Sequence, residues 1–184
     1  MASVFDTIKM KAGDTDRSNN WYRGQVNRIA SGTTARELFR QGKLARRPSV
    51  GRLNLFGYNP KLRKTLPYYD VFPLVLPLEA IPGGFIGMNF HYLPPLLRTR
   101  LLERMQATAT DKNFDRNTKF DVTYSDVKNL NIVKPTIKKY LYSYVQTGFL
   151  RINADEAATA IYLPVQRFKK ASEARVYADS RRFI

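Results

Sequence analysis

The stretch from Val71 to Leu93 constrains this chain more than any other. Phe72, Leu74, Leu76 and Leu78 alternate with Pro73, Val75, Pro77 and Glu79. After Pro82-Gly83-Gly84, Ile86, Met88, Phe90 and Tyr92 alternate with Phe85, Gly87, Asn89 and His91. Successive side chains of a strand point to opposite faces, so two period-two runs around a Pro-Gly-Gly turn predict a β-hairpin. Phe72, Leu74 and Leu76 with Ile86, Met88 and Phe90 are expected to share one buried face. Pro73 and Pro77 cannot donate to a ladder, which puts their strand at a sheet edge or kinks it. Gly83, Gly84 and Gly87 read as glycines of a turn and of close backbone approach rather than of a phosphate cradle.

The flanking segments follow other patterns. Residues 1–18 are polar and aperiodic and read as a flexible or docking tail. Ser18-Asn19-Asn20 caps a helix that places Tyr22, Val26 and Ile29 on one face, and Thr33 or Thr34 caps a second, with Leu38 and Phe39 inward and Gly42 as its stop. KLARRPSVGR is a basic link, and RLNLFGY a strand. Pro94 and Pro95 open a helix with Leu97, Leu101 and Met105 on its buried face and Arg98, Arg100 and Arg104 around the rest. KPTIKKYLYSYVQTGF predicts a further amphipathic helix, with Ile137, Leu141, Tyr144 and Val145 inward and Lys134, Lys138 and Lys139 outward. FLRI reads as a strand, ADEAATA as a short helix and AIYLPVQRF as a last strand. The expected fold is α+β: a small, partly open β-barrel, SH3-like or OB-like, with helical insertions. Residues 1–50 would form a basic tail with short helices, 51–170 the barrel-like core, and 171–184 a basic tail.

Charge points to the partner. The 31 Lys and Arg outnumber the 15 Asp and Glu, for a net charge of +16. Met1 to Leu66 holds 14 basic and 4 acidic residues, Pro67 to Val133 holds 7 of each, and Lys134 to Ile184 holds 10 and 4. A neutral apolar middle between two basic ends argues for a polyanionic partner. Arg46, Arg47, Arg52, Lys61, Arg63 and Lys64 frame the first strand, with Tyr58, Tyr68 and Tyr69 among or just after them. Cations beside aromatic faces suit single strands or frayed duplex ends. Lys134, Lys138, Lys139, Lys169, Lys170, Arg181 and Arg182 extend the candidate nucleic-acid-binding set.

Catalytic and metal chemistry find little support. The chain has no cysteine and one histidine, His91, set between Phe90 and Tyr92 as a packed or hydrogen-bonded residue. Asp70 and Glu79 flank the first hairpin strand without the clustered carboxylates and lysine of a metal-dependent nuclease. Asp70 reads instead as an acceptor for backbone amides where a strand begins. No Walker-type loop, dinucleotide fingerprint or serine-nucleophile elbow occurs. No apolar run approaches the roughly 18 residues of a membrane span, and the start has no apolar leader segment. The reading is a non-enzymatic protein with no cofactor or metal and no membrane partner.

GYNPKLRKTLPYYDVFPLVLPLEAIPGGFIGMNFHYLPP resembles a family of contractile-tailed phages of the T-even-like and cyanophage kind. Its members carry Y-D-P-K, then L-P-Y-Y-D-x-F-P-L, then G-F-x-G-x-N-x-H-Y-L-P, matched here from Tyr58 to Pro95. KPTIKKYLYS, IYLPVQRFKK and VYADSRRFI extend the similarity over roughly the last two thirds of the chain. Asn59 stands where the family has Asp, a conservative change in a turn. The resemblance implies a small virion protein of the DNA end protector type, made in the host cytoplasm, that binds the end of the packaged genome near the head–tail junction. Two alternatives fit the same charge: a structural neck, tail or baseplate subunit whose basic ends grip neck or tail proteins, and an RNA-binding protein of ribosomal-protein style.

Overall fold

The computed structural model describes residues 2–184. Its centre is the predicted hairpin: β4 (Leu74–Ile81) and β5 (Gly84–Asn89) pair antiparallel around Pro82-Gly83. Gly83 has φ +73°, a conformation that favours glycine. A Cβ on Gly84 would lie 1.9 Å from the Tyr140 carbonyl oxygen, so only glycine lets the neighbouring strand approach there.

Four more strands complete a six-stranded sheet in the order β1-β7-β2-β4-β5-β6, with β1 at Leu44–Ala45, β2 at Leu53–Leu55, β6 at Ile137–Leu141 and β7 at Phe149–Ile152. All its pairings are antiparallel. The class is α+β, as expected; the sheet is not closed into a barrel, with β1 and β6 at its opposite edges. β3 (Tyr69–Asp70) and β8 (Phe168–Lys169) form a separate two-stranded ribbon.

β4 is an interior strand, not an edge. Its proline is accommodated in two ways: β2 pairs only with Leu74 and Val75, so no partner waits for an amide at position 77, and the register with β5 shifts between Pro77 and Glu79. Both faces of the sheet are covered. Leu74, Leu76, Met88 and Phe90 join a large cluster with Leu53, Leu55, Leu150 and Ile152, whereas the alternating Val75, Phe85, Phe56, Phe149 and Tyr140 form a second, aromatic cluster. The expected single buried face is therefore one of two. Ile86 is only partly buried, and Phe72 packs at the rim of the large cluster.

Helices cover the aliphatic face. α1 (Val4–Ala12) buries Phe5 and Ile8, α2 (Asn19–Ile29) Val26, α3 (Ala35–Gln41) Leu38, and α4 (Pro95–Gln106) Leu101, Leu102 and Met105. The caps at Ser18 and Thr34 are those expected from the sequence. α1 replaces the expected N-terminal tail: Ser3 and Asp6 form a reciprocal capping box, and Phe5, Ile8 and Ala12 recur at helical spacing. A short α5 (Tyr124–Val127) and α6 (Ala157–Ala160) follow. α7 (Glu173–Arg181) buries Val176 and Ser180 where a basic tail was expected.

Two further expectations fail for identifiable reasons. The helix over 134–149 is absent: a 3-10 turn at Lys134–Thr136 leads into β6, and another follows at Tyr142–Tyr144. The long β5 needs a partner along its free side, and β6 supplies it, pairing Met88 with Ile137 and Phe85 with Tyr140. Ile and Tyr favour that pleated setting over a helix. AIYLPVQRF is not a strand either. Ile161 and Leu163 are buried in the turn after α6, Pro164 interrupts it, and only Phe168 and Lys169 reach the ribbon.

Candidate nucleic-acid interface

The hairpin base is fixed by a buried polar network. Asp70 at the end of β3 accepts hydrogen bonds from the Phe72 amide (3.1 Å), the Arg167 amide (3.2 Å), Asn89 Nδ2 (3.1 Å) and His91 Nδ1 (2.8 Å). One carboxylate thus ties β3, the approach to β8 and the end of β5 together. Its expected work on backbone amides is seen, as is a packed, hydrogen-bonded His91. Burial holds the His91 pKa below its ordinary value, outweighing the opposing pull of Asp70. Glu79 is exposed near the turn end of the hairpin, opposite Ile86, so the two carboxylates do not converge. Among the described residues no cluster of three or more His, Cys, Asp or Glu is arranged to hold a metal ion.

Arg98 departs most from its expected place. It is 1% exposed, and its guanidinium donates to the carbonyls of Leu93 (2.7 Å), Ile161 (2.9 Å) and His91 (3.3 Å) and to the Tyr177 hydroxyl (2.9 Å). It joins α4, the turn after α6 and α7, and is no part of a solvent-facing basic surface. Arg100 and Arg104 remain exposed.

On the aromatic side of the sheet, between the 58–70 segment and β6, lies a cavity of about 580 Å³. Tyr58, Tyr68, Tyr69, Tyr92 and Tyr140 contribute to its lining, with Lys61, Lys138 and Lys139. Tyr140 stacks on Phe85 at 5.4 Å between ring centres and Tyr58 meets Tyr140 edge-on at 5.0 Å, so the buried aromatic cluster supports this wall. The Tyr58 hydroxyl also accepts the Leu141 amide at 3.0 Å, a structural duty for a residue expected to contact nucleic acid. Tyr68 and Tyr69 are half-buried in this lining.

Lys138 and Tyr140 share one face of β6 by strand alternation. The Lys138 ammonium lies 4.1 Å from the centre of the Tyr92 ring. No carboxylate among the described residues pairs with it. Burial without a counter-charge lowers its pKa from 10.5 to about 8. Asp70, the acid in the cavity wall, is 3% exposed and saturated by the donors named above.

The remaining expected contact residues divide. Lys170 is committed to structure: its ammonium donates to the carbonyls of Arg63 and Lys64, at 3.3 and 3.2 Å, and of Leu66. Those bonds hold the exposed Arg63 and Lys64 on the loop that flanks the cavity. Lys169 pairs with Tyr69 across the ribbon and lines a neighbouring hollow with Arg36. Arg182 lies 3.7 Å from Asp179, and both charges act on Tyr68, so α7 reaches the rim; Arg181 is exposed beside it. Arg46 is exposed, and Arg47 stacks over Tyr142 at 4.2 Å, one residue past β6. Arg52 instead binds the Arg116 carbonyl at 2.7 Å, and Lys134 binds Asn131 at 2.9 Å. Lys61 and Lys138 thus meet at one cavity, with Arg63, Lys64 and Arg182 about it, while Arg52 and Lys134 serve other partners. Tyr92 and Tyr140 are wall residues that sequence reading missed. Tyr92 lay in the apolar hairpin, and Tyr140 in a segment read as helix.

No helix among the described residues is long and apolar enough to cross a membrane. No curated protein and no solved structure matches the chain. The family model described as phage T4 terminal DNA protecting protein matches residues 5–183. That span takes in the helices, the sheet and the basic aromatic cavity alike, and it agrees with the resemblance carried by the hairpin motif: the chain belongs to the phage terminal DNA protecting protein family.

Proposed function

We propose that the protein binds the ends of packaged phage DNA without catalysis and shields them as a virion component near the head–tail junction. The observation that carries this reading is the cavity with tyrosine walls and lysines that lack acidic partners among the described residues, in a chain of net charge +16. Cations that meet phosphates release counterions, and tyrosine rings accept bases irrespective of sequence. Nothing in the arrangement resembles a base-reading helix in a groove, so affinity is expected to be sequence-tolerant. Asp70 lines the cavity, but it is 3% exposed and its carboxylate is taken up by four donors, a structural duty that leaves it poorly placed to act on a substrate.

The deciding experiment compares linear DNA with a covalently closed circle of the same sequence. Linear DNA should bind more tightly and should resist a processive exonuclease once bound; equal binding to the closed circle would refute end recognition. Mass spectrometry of purified particles tests the virion location. A structural neck or tail role has its own support. Ile184, 49% exposed, lines a hollow with Leu97, Ile132, Arg100, Glu103 and Arg104, and its chain neighbour Phe183 is 52% exposed, an apolar and charged face suited to a neck or tail protein.

A further inference from the structure

The cavity between Tyr68 and Lys138 has the size and chemistry of a site for one nucleotide rather than for a duplex. Its volume of about 580 Å³ falls within the range typical of small-molecule sites, about 300–1,000 Å³. Duplex DNA presents its phosphates on a broad convex surface and needs no such recess. An unpaired nucleotide presents a flat base and a phosphate a few ångströms apart. The cavity offers a counterpart to each. Tyr68 and Tyr69 are half-buried in the lining, and Tyr68 is held by Tyr92 and Phe168 at 6.1 and 6.5 Å between ring centres. Lys138 sits over Tyr92 with no acidic partner among the described residues, and the exposed Lys61 lines the same cavity.

We propose that this cavity captures a single unpaired, phosphate-bearing nucleotide at the DNA end, its base against the Tyr68–Tyr69 wall and its phosphate at Lys138 and Lys61. The proposal rests on the end-binding reading above and gives it a chemical specificity: a frayed or overhanging terminus is preferred to a blunt one. Charge complementarity carries it. The one acid in the lining, Asp70, is 3% exposed with its oxygens taken up by four donors, whereas three lysines, Lys61, Lys138 and Lys139, line the same cavity. Lys138 is half-buried against the Tyr92 ring, 4.1 Å from its centre, and no carboxylate among the described residues pairs with it. A phosphate would supply a counter-charge, and the ammonium need only leave the face of the Tyr92 ring to reach it.

The test uses the full chain and hairpin oligonucleotides with one open end: blunt, or carrying one unpaired nucleotide on the 5′ or the 3′ strand, each with and without a terminal phosphate. A closed dumbbell serves as the endless control. At least one unpaired, phosphorylated end should bind about fivefold or more tighter than the blunt end, the lower range of what stacking one base supplies. The strand bearing the better extension identifies the source of the nucleotide. Lys138→Met should abolish the gain from the phosphate while leaving the weaker, salt-sensitive affinity for the duplex. Tyr68→Leu or Tyr69→Leu should abolish the gain from the unpaired base. Thermal melting of each variant establishes that it is folded. Blunt and unpaired ends binding alike, with the dumbbell weaker, would overturn nucleotide capture and leave end binding standing. The dumbbell binding as well as every open end would remove the end-binding reading itself. Discrimination unchanged in folded Lys138→Met and in both tyrosine variants would place the recognition outside this cavity and overturn the proposal.

Discussion

Asp70 and His91 meet at 2.8 Å, both side chains buried, and the imidazole keeps its pKa below the ordinary value because burial outweighs the carboxylate beside it. The folded protein therefore resists protonating His91 at a pH where the unfolded chain accepts the proton. Stability is complete above the ordinary histidine pKa of about 6.5 and declines as pH falls below it, with a slope of at most about 1.4 kcal/mol per pH unit for this one group. Melting temperature measured from pH 8 to pH 5 should show this decline in the wild type. His91→Gln should lose that component while keeping whatever acid sensitivity the exposed carboxylates contribute.

Phe90 is 0% exposed in the aliphatic cluster, next to the Asp70–His91 pair. Phe90→Ala should cost about 3–5 kcal/mol of stability by chemical denaturation, the usual range for emptying a buried phenylalanine site. Phe56→Ala should cost a similar amount, since Phe56 is also 0% exposed and lies at the centre of the second cluster, within 4.8 Å of the Phe149 ring centre. Equal sensitivity on the two faces is the signature of a sheet covered on both sides. A harmless Phe56→Ala would mean that the aromatic side is open.

Arg98 is a structural cation. Truncation to alanine would strand three buried carbonyls and the Tyr177 hydroxyl that it now serves. Each buried unsatisfied group costs about 1–3 kcal/mol, so Arg98→Ala should destabilise the protein by more than about 3 kcal/mol. It should also free α7, read as faster amide hydrogen exchange around Val176 and Tyr177. Arg100→Ala and Arg104→Ala, on the same helix but exposed, should leave the melting temperature nearly unchanged.

The hairpin was legible because both of its faces are apolar or aromatic and its turn carries glycine where φ is positive. Helices α2 and α3 were legible from their caps at Ser18 and Thr34. β6 was not. Ile137, Leu141, Tyr144 and Val145 fall three or four residues apart by coincidence, and what decides their structure is the free side of β5, a partner more than forty residues earlier. The misreading carried over to function. As a helix the segment put Lys138 on a solvated face, whereas as a strand it turns Lys138 toward Tyr92 and the cavity. Arg98 was hidden for a related reason: a sequence cannot show that the carbonyls of His91 and Leu93 and that of the distant Ile161 converge on one helix position. The charge asymmetry survived folding only in part, because Lys170, Arg52 and Lys134 are engaged with the protein's own oxygens.

That division sets the final expectation, which concerns where DNA affinity resides. If the cavity and its rim are the interface, changing Lys61, Arg63, Lys64 and Lys138 together to glutamine or methionine should weaken DNA binding strongly. The salt slope should fall by about 0.9 for each phosphate that is no longer neutralised. Arg52 and Lys134 are equally basic in sequence but bind the Arg116 carbonyl and Asn131, so their neutralisation should alter affinity much less. Arg100 and Arg104 provide the opposite control: they are exposed and free to meet phosphate, yet stand on α4 beside Ile132 and Ile184, away from the tyrosine wall. The three sets are compared by titration with linear DNA at several salt concentrations, each variant first shown to melt like the wild type. Affinity and slope should fall in the order cavity set, then the Arg100 and Arg104 pair, then the Arg52 and Lys134 pair. If the Arg100 and Arg104 pair instead dominates, the helix after the hairpin is the DNA-binding face. If no set changes DNA binding but particles lacking these charges fail to assemble, the basic residues grip neck or tail proteins.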